Sequence, residues 1–479
     1  MTNKNENLKL LISLGLAGVM VAPIWWLITK LSSPNPDNNP GNGISPSPSV
    51  SLTDKPSTFI SLGTSILVKV ETSSEKKDGV KAFADKDFPS AVEKFTASLK
   101  KNPNQAETLI YLNNAKIAKA KSEVLTVAVI APTNFNIGVT QEFLRGIAQA
   151  QDEVNNQGGI NGKKLQIAVA SVEDQKYSAQ LDDELVQDNS LVAVVGVSLN
   201  PRIYNDKGLV LVFPVELPGQ TQSSVNSQRD PSKNNYLFHV NPPYDNLVKT
   251  HAKYIAEQVK NIAICGDFPR STNNPIPSLN PKLVKQYTEA LESYGSKILS
   301  TPCYLSGKNN FDYKAFVNKA IEENASGFLL IPSVDNIPFA TKVGQEVGSR
   351  KLLFGSEIMY SPKTLQNGKD IEGMVLPVYW HRDANKEFAN KAFELWNAPV
   401  NQRTAGAYDA LQVIITGLKQ DNTREGLQKV LSNPNFSTSG ATGLIKFLPS
   451  GERKTEAEAL LVKIEPSGTG YDFVLLKNK

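Results

Sequence analysis

The stretch from Leu125 to Ala170 limits what this chain can fold into more than any other. An apolar run, Leu125–Ala131, is followed by a polar loop, Pro132–Val139. Next come Phe143, Ile147, Ala150 and Val154 at the spacing of one helical stripe, then Gly158-Gly159-Ile160-Asn161-Gly162, then a second apolar run, Leu165–Ala170. The pattern predicts strand, loop, a helix over Thr140–Asn156, and strand. Gly158 and Gly159 stop the helix, because glycine accepts the positive φ of a C-terminal cap. Asn161-Gly162 then turns the chain into the next strand. This is the start of a parallel sheet, and open parallel sheets bind ligands beyond the carboxyl ends of their strands. That edge carries Thr133, Asn134 and Phe135. Taken alone, the glycine-rich turn is equally a plain chain reversal.

The same alternation continues to the far end of the chain. Apolar runs recur at Leu191–Val197, Leu209–Phe213, Ile262–Cys265, Lys297–Ser300, Gly327–Ile331, Leu352–Phe354 and Met374–Val378. Helical patterns lie between them, as at Tyr244–Gln258, Pro281–Tyr294, Tyr313–Glu323 and Ile337–Val347. Continuously apolar strands belong to sheets covered on both faces. Strands alternating with helices predict a parallel α/β architecture. This many strands over about 350 residues implies two lobes rather than one.

The chain before Val124 reads differently. Leu10–Thr29 is a 20-residue run without a charge, with Trp25 and Trp26 near its far end. It is long enough to cross a bilayer, and indoles favour the membrane interface. A cleaved secretory signal is the rival reading, but Thr29-Lys30-Leu31 is a poor cleavage site. Ser32–Pro56 is rich in Pro, Asn, Ser and Gly and predicts a disordered stalk. Phe59–Val70 is expected to form a short helix. Ser74–Ala120 is helical in pattern, with Gly79, Phe88, Ala91, Phe95, Leu99 and Pro103 at positions resembling a tetratricopeptide repeat. About three repeats are needed for an independent stack, so this segment is either a docking module or a helical spacer lying against the binding domain.

Composition removes several function classes. Net charge is +4 with no basic block, so nucleic acid is not an expected partner. Three scattered histidines and two cysteines offer no zinc pattern, and neither a metal nor a cofactor is expected. No Gly-x-Ser-x-Gly elbow, P-loop or Gly-x-Gly-x-x-Gly turn occurs, so the chain is not read as an enzyme. The acidic pairs Asp182-Asp183 and Glu322-Glu323 read as solvated helix faces. Cys265 and Cys303 each end or follow a predicted strand, joined by one helix. They form either a disulfide or two separate buried thiols.

The long pattern resembles the type I periplasmic binding proteins, in their branched-chain amino acid receptor branch. The resemblance rests on Val127–Ala131, Phe143-Leu144-Arg145-Gly146-Ile147 and Gly158–Leu165, followed in order by Leu191–Gly196, Leu209–Pro214, Phe354-Gly355-Ser356-Glu357, Ala407-Tyr408-Asp409-Ala410 and Gly443–Phe447. It covers Val124 to Leu476. It implies a solute-binding protein of an ABC importer, with two α/β lobes closing over an amino acid or small amide and a permease as membrane partner. The alternatives are a sensory module reporting to a membrane protein, and a ligand-free scaffold using its helical repeat. The implied organisation is an anchor over residues 1–31, a linker over 32–58, the helical segment over 59–122 and the binding domain over 123–479. Lobe one would take 124–241 and 379–440, and lobe two 242–378 and 441–479. The bulk of the chain would be extracytoplasmic.

The resemblance also implies a site. Ser198 and Asn200, after the Leu191–Val197 run, would hold a ligand carboxylate in lobe one; a plain helix cap is the competing role for Ser198. Glu357 would hold the ammonium from lobe two; an exposed loop glutamate is its competing role. Asn134, Phe135, Val215 and Ser333 are further candidate contacts. Glu216 departs from the family, whose members carry small or hydroxyl residues there. An acid would repel a ligand carboxylate, so it either points away or faces a cationic group.

Overall fold

The computed structural model describes residues 59–69, 72–131, 137–171, 177–214, 235–267, 279–301, 303–305, 311–455, 458–468 and 470–476. The expected anchor and linker lie outside them, as do Asn134, Phe135, Val215 and Glu216. Among the described residues, no helix is long and apolar enough to cross a membrane.

The chain opens on β1 (Ile60–Ser61) and three helices, α1 (Ser74–Ala84), α2 (Phe88–Lys101) and α3 (Ala106–Ala120). The short helix expected over Phe59–Val70 is absent from its described residues, 59–69. Ser61 Oγ instead accepts from Gly63 N and Ser65 N, both at 3.1 Å, and bends the chain straight after the strand. Gly79 in α1 leaves room for the Phe95 ring of α2, which would lie 2.6 Å from a Cβ at that position. Glu107 of α3 is buried; its Oε2 pairs with buried Lys76 Nζ at 2.7 Å, and its Oε1 accepts from Leu67 N at 2.9 Å and Val68 N at 3.1 Å. The pair is costly to desolvate, so those backbone donors matter to holding it.

The first lobe is built on β2 (Val124–Ile130), α4 (Ile137–Asn156), β3 (Lys164–Ala170), α5 (Ser178–Gln187), β4 (Leu191–Gly196), α6 (Arg202–Lys207), β5 (Val210–Phe213) and β6 (Leu237–His239). The sheet order is β1-β3-β2-β4-β5-β6, parallel from β3 to β6, with β1 antiparallel at the edge. Apolar clusters cover both of its faces, as continuous strands require.

The chain then crosses to the second lobe: α7 (Tyr244–Gln258), β7 (Asn261–Gly266), α8 (Leu279–Ser293), β8 (Lys297–Ile298), α9 (Tyr313–Glu322), β9 (Gly327–Ile331), α10 (Ile337–Val347), β10 (Leu352–Gly355), α11 (Pro362–Leu365) and β11 (Val375–Val378). It returns to the first lobe with α12 (Lys386–Trp396), α13 (Gln402–Gln420) and α14 (Arg424–Leu431), runs through a small hairpin of β12 (Thr438–Gly440) and β13 (Gly443–Ile445), and ends in the second lobe as β14 (Leu460–Ser467) and β15 (Gly470–Leu475). That sheet runs β15-β14-β11-β10-β9-β7-β8. Its β14 and β15 are antiparallel, so this lobe is not wholly parallel. Arg453 ties two crossings together, donating to Val240 O at 2.9 Å and Leu444 O at 2.9 Å. Cys265 and Cys303 are bonded, linking the end of β7 to the chain beyond β8.

Candidate functional site

Glu357 stands at the carboxyl edge of the second sheet. Gly355, the last residue of β10, has no room for a side chain: a Cβ would lie 2.4 Å from Leu376 Cδ2 and 2.9 Å from the Met359 sulfur. That close packing fixes the turn that follows, a short 3-10 segment over Glu357–Met359. Glu357 is 7% exposed, and its carboxylate accepts a hydrogen bond from the Tyr244 hydroxyl. Tyr244 is the first residue of α7, directly after Pro242-Pro243 at the first crossing. Burial pushes the Glu357 carboxyl above its ordinary range, while the Tyr244 bond and the Arg403 guanidinium pull it back down. The carboxylate is therefore not the solvated loop acid that its sequence position also allowed.

Arg403 comes to this region from the first lobe. It lies in the first turn of α13, whose start is set by Asn401: its Oδ1 accepts from Arg403 N at 2.9 Å. Arg403 Nη1 donates to Tyr360 O of the second lobe at 3.4 Å, a long bond. The neighbouring Gln402 Oε1 accepts from Tyr379 N at 2.8 Å, on the second crossing. Thr404 donates to Glu142 Oε2, and Glu142 is itself paired with Arg145.

The other described candidates occupy separate places. Ser198 is buried, and its hydroxyl is committed: Oγ donates to Asp182 Oδ2 at 2.7 Å and accepts from Asn200 N at 2.9 Å. Asp182 also accepts from Tyr204 Oη at 2.7 Å. Asp182 is thus a buried acceptor for two hydroxyls and not part of a solvated face. Asn200 is exposed. Ser333 is partly buried at the end of β9, and its N–H donates to Asp267 Oδ2 at 2.9 Å. No hydrogen bond joins Ser198 or Ser333 to Glu357 among the described residues. Tyr244 and Arg403 were not singled out by sequence. The Pro-Pro pair before Tyr244 marks a boundary, but no motif marks Arg403.

A cavity of about 270 Å³ opens between the crossings, lined by Asn246, Tyr379, Trp380, Asn385, Thr442 and Arg453 among others. Its polar walls are largely engaged with one another: Asn385 Nδ2 donates to Ala441 O at 3.0 Å, and Arg453 is held by backbone carbonyls. None of the expected site residues lines it, and Glu357 remains the centre of the candidate site. No cluster of three or more His, Cys, Asp or Glu suited to a metal ion occurs among the described residues.

A profile of the family described as "Periplasmic binding protein" matches residues 127–469. The chain belongs to the periplasmic binding protein family. Among solved structures, the family fold recurs in an ABC transporter substrate-binding protein from Desulfitobacterium hafniense in complex with Leu, at 16% identity and TM-score 0.58, covering 74% of this chain and 100% of that one. It recurs in a branched-chain amino acid transporter substrate-binding protein from Streptococcus pneumoniae in complex with isoleucine, at 13% identity and TM-score 0.59, covering 74% and 100%. A solute-binding protein from Rhodopseudomonas palustris in complex with benzoate matches at 11% identity and TM-score 0.57, covering 74% and 96%. A curated "Amino acid binding protein" from Pseudomonas aeruginosa is 29% identical over 98 residues, 19% of this chain. The match spans only 26% of that relative's length.

Proposed function

We propose that this chain is an extracytoplasmic solute-binding protein serving an ABC importer, and that it closes its two lobes over an amino acid or a related small amide. The observation that carries the reading is Glu357. It is a buried acid at the carboxyl edge of the second lobe's sheet, where parallel α/β folds bind ligands. An ammonium group placed against it would meet a carboxylate already oriented by Tyr244. Relatives of the same fold in complex with leucine and isoleucine support the amino acid class, and the benzoate complex marks how far the fold's ligands range. The Cys265–Cys303 bond agrees with an oxidising, extracytoplasmic setting. In this reading Leu10–Thr29 anchors the protein beside its permease.

A thermal-shift screen with amino acids, ureas and polyamines tests the reading, since a solute that binds only the folded state at about a hundred times its Kd stabilises it by about 2.7 kcal/mol. Glu357→Gln should weaken the solute found by about ten- to a hundred-fold, the loss of one charge-assisted hydrogen bond. Glu216→Gln is made in parallel. Wild-type binding by Glu357→Gln beside a loss in Glu216→Gln would put the cationic group elsewhere. A screen with no shift from any of these solutes would remove the amino acid and amide class.

A further inference from the structure

We infer that Arg403, and not Ser198, is the first-lobe group that receives a carboxylate of the ligand, so that the ligand is an acid at that end. The inference rests on the solute-binding reading above and deepens it. Ser198 cannot serve freely: its hydroxyl gives its one proton to Asp182, and one acceptor site is used by Asn200 N. Rotating it toward a ligand would strip a buried carboxylate of a donor. Arg403 is in the opposite condition. A guanidinium carries five donor hydrogens, and among the described residues one of them makes one bond, at 3.4 Å to the Tyr360 carbonyl. No carboxylate lies within ion-pair distance of it among the described residues. Glu142, the first-lobe acid that acts on it through space, is already paired with Arg145 and takes its remaining bonds from Thr404 and Asn401 N. Glu357 acts on Arg403 through space, but its own bond is to Tyr244. Half-buried, with Glu357 and Glu142 acting on it only through space, this guanidinium keeps donors free for an arriving anion. Its planar fork fits a carboxylate through two parallel bonds.

The placement also fits a zwitterion. Arg403 comes from the first lobe and reaches the second-lobe segment that follows Glu357. A ligand with its ammonium on Glu357 and its carboxylate on Arg403 would contact both lobes with opposite charges. Closing the lobes would then complete both contacts together. The ligand's carboxylate would also give Arg403, held by one long bond to a carbonyl, a partner for its remaining donors.

The test is a calorimetric titration with the standard L-amino acids and, for each one that binds, its carboxamide and its decarboxylated amine. Wild type should bind the acid at least about ten-fold more tightly than the amide. Arg403→Gln should lose about ten- to a hundred-fold for the acid and little for the amide. Ser198→Ala should keep the wild-type preference. Arg403→Lys keeps the charge without the fork and should lose part of the preference; it stands in if the glutamine variant does not fold. Equal losses for acid and amide in the Arg403 variants would make Arg403 a mere tether to Tyr360 and overturn the inference. Binding confined to amines or neutral solutes would overturn it too, while leaving the solute-binding reading in place. A protein that binds no small solute would end both.

Discussion

His239 and His251 are held neutral by burial. Both have their pKa pushed down to about 3 by desolvation. His251 is fully buried, with Nδ1 3.1 Å from Tyr287 Oη and its ring edge-on to Phe354. An unfolded histidine titrates near about 6.5, so the folded form refuses a proton that the unfolded form accepts. The stability this group contributes is present above about pH 6.5 and is lost as pH falls toward 3. Between about pH 7.5 and about pH 5 the loss is about 2 kcal/mol for such a histidine. His251→Gln cannot charge. In urea unfolding it should therefore lose about 2 kcal/mol less than wild type over the same interval; parallel losses in the two proteins would count against the argument. At this scale the sequence is uneven. The place of Glu357, just beyond the strand Leu352–Gly355, is legible from the apolar run before it, whereas its burial and its bond to Tyr244 are not. Asp182 departs from the expected solvated face: adjacent acids suggest exposure, yet it shares a buried side of α5 with Leu181 and Leu185. Its partners Ser198 and Tyr204 lie 16 and 22 residues away, where no local pattern reaches.

At the scale of elements, length decides what can be read. The long strands and helices of both lobes announce themselves by unbroken apolar runs and helical stripes. Helix α7 begins where Pro243 ends, and α10 stops at Gly348, so residue chemistry marks those boundaries. Strands β1 and β6 are two and three residues long and carry no periodicity of their own. They exist because a neighbour offers an edge: β1 pairs with β3, and β6 with β5. The antiparallel β14–β15 pair alternates half-exposed residues and so lacks the signature of a buried parallel strand. The Cys265–Cys303 bond belongs to this scale because it closes a loop of 38 residues and fastens β7 to the chain beyond the edge strand. By loop entropy its removal costs about 4 kcal/mol, within the usual range of about 2–5. Cys265→Ser with Cys303→Ser should lower the urea midpoint accordingly, with the unfolding slope read separately because the unfolded chain is freed as well. A double variant as stable as the oxidised wild type would mean the bond only follows the fold.

Across the whole molecule, the helical segment and the first lobe share one core. Phe95, Ile110, Tyr111 and Ala115 belong to the same buried cluster as Val127, Ile147 and Ile167. Helix α3 has eleven of its 15 residues buried, which no helix resting loosely on a surface would show. Asn114 completes the sheet: its Nδ2 donates to Ile167 O at 2.8 Å and to Leu62 O at 2.9 Å, and its Oδ1 accepts from Ile167 N at 3.2 Å. A side-chain amide thus occupies the place of a strand partner on the outer side of β3, continued by β1 at Val169 and Ala170. Arg145 adds a polar tie, its Nε donating to Asn104 Oδ1 at 2.7 Å. Without residues 59–122 the outer side of β3 would be an open edge, and the face of α4 under α3 would meet water. Leu109, Ile110, Tyr111 and Leu112 are all buried, which is worth about 1.5–3 kcal/mol for each side chain. That sum is on the order of the whole stability of an ordinary domain, about 5–15 kcal/mol. A chain beginning at Val124 should therefore aggregate, or melt far below the protein that keeps the helices. The comparison is a thermal melt of the two forms, with Asn114→Leu as a milder variant that removes only the amide bonds. A truncated form melting at the same temperature would show the helices to be a passenger on the lobe and would return them to the role of spacer.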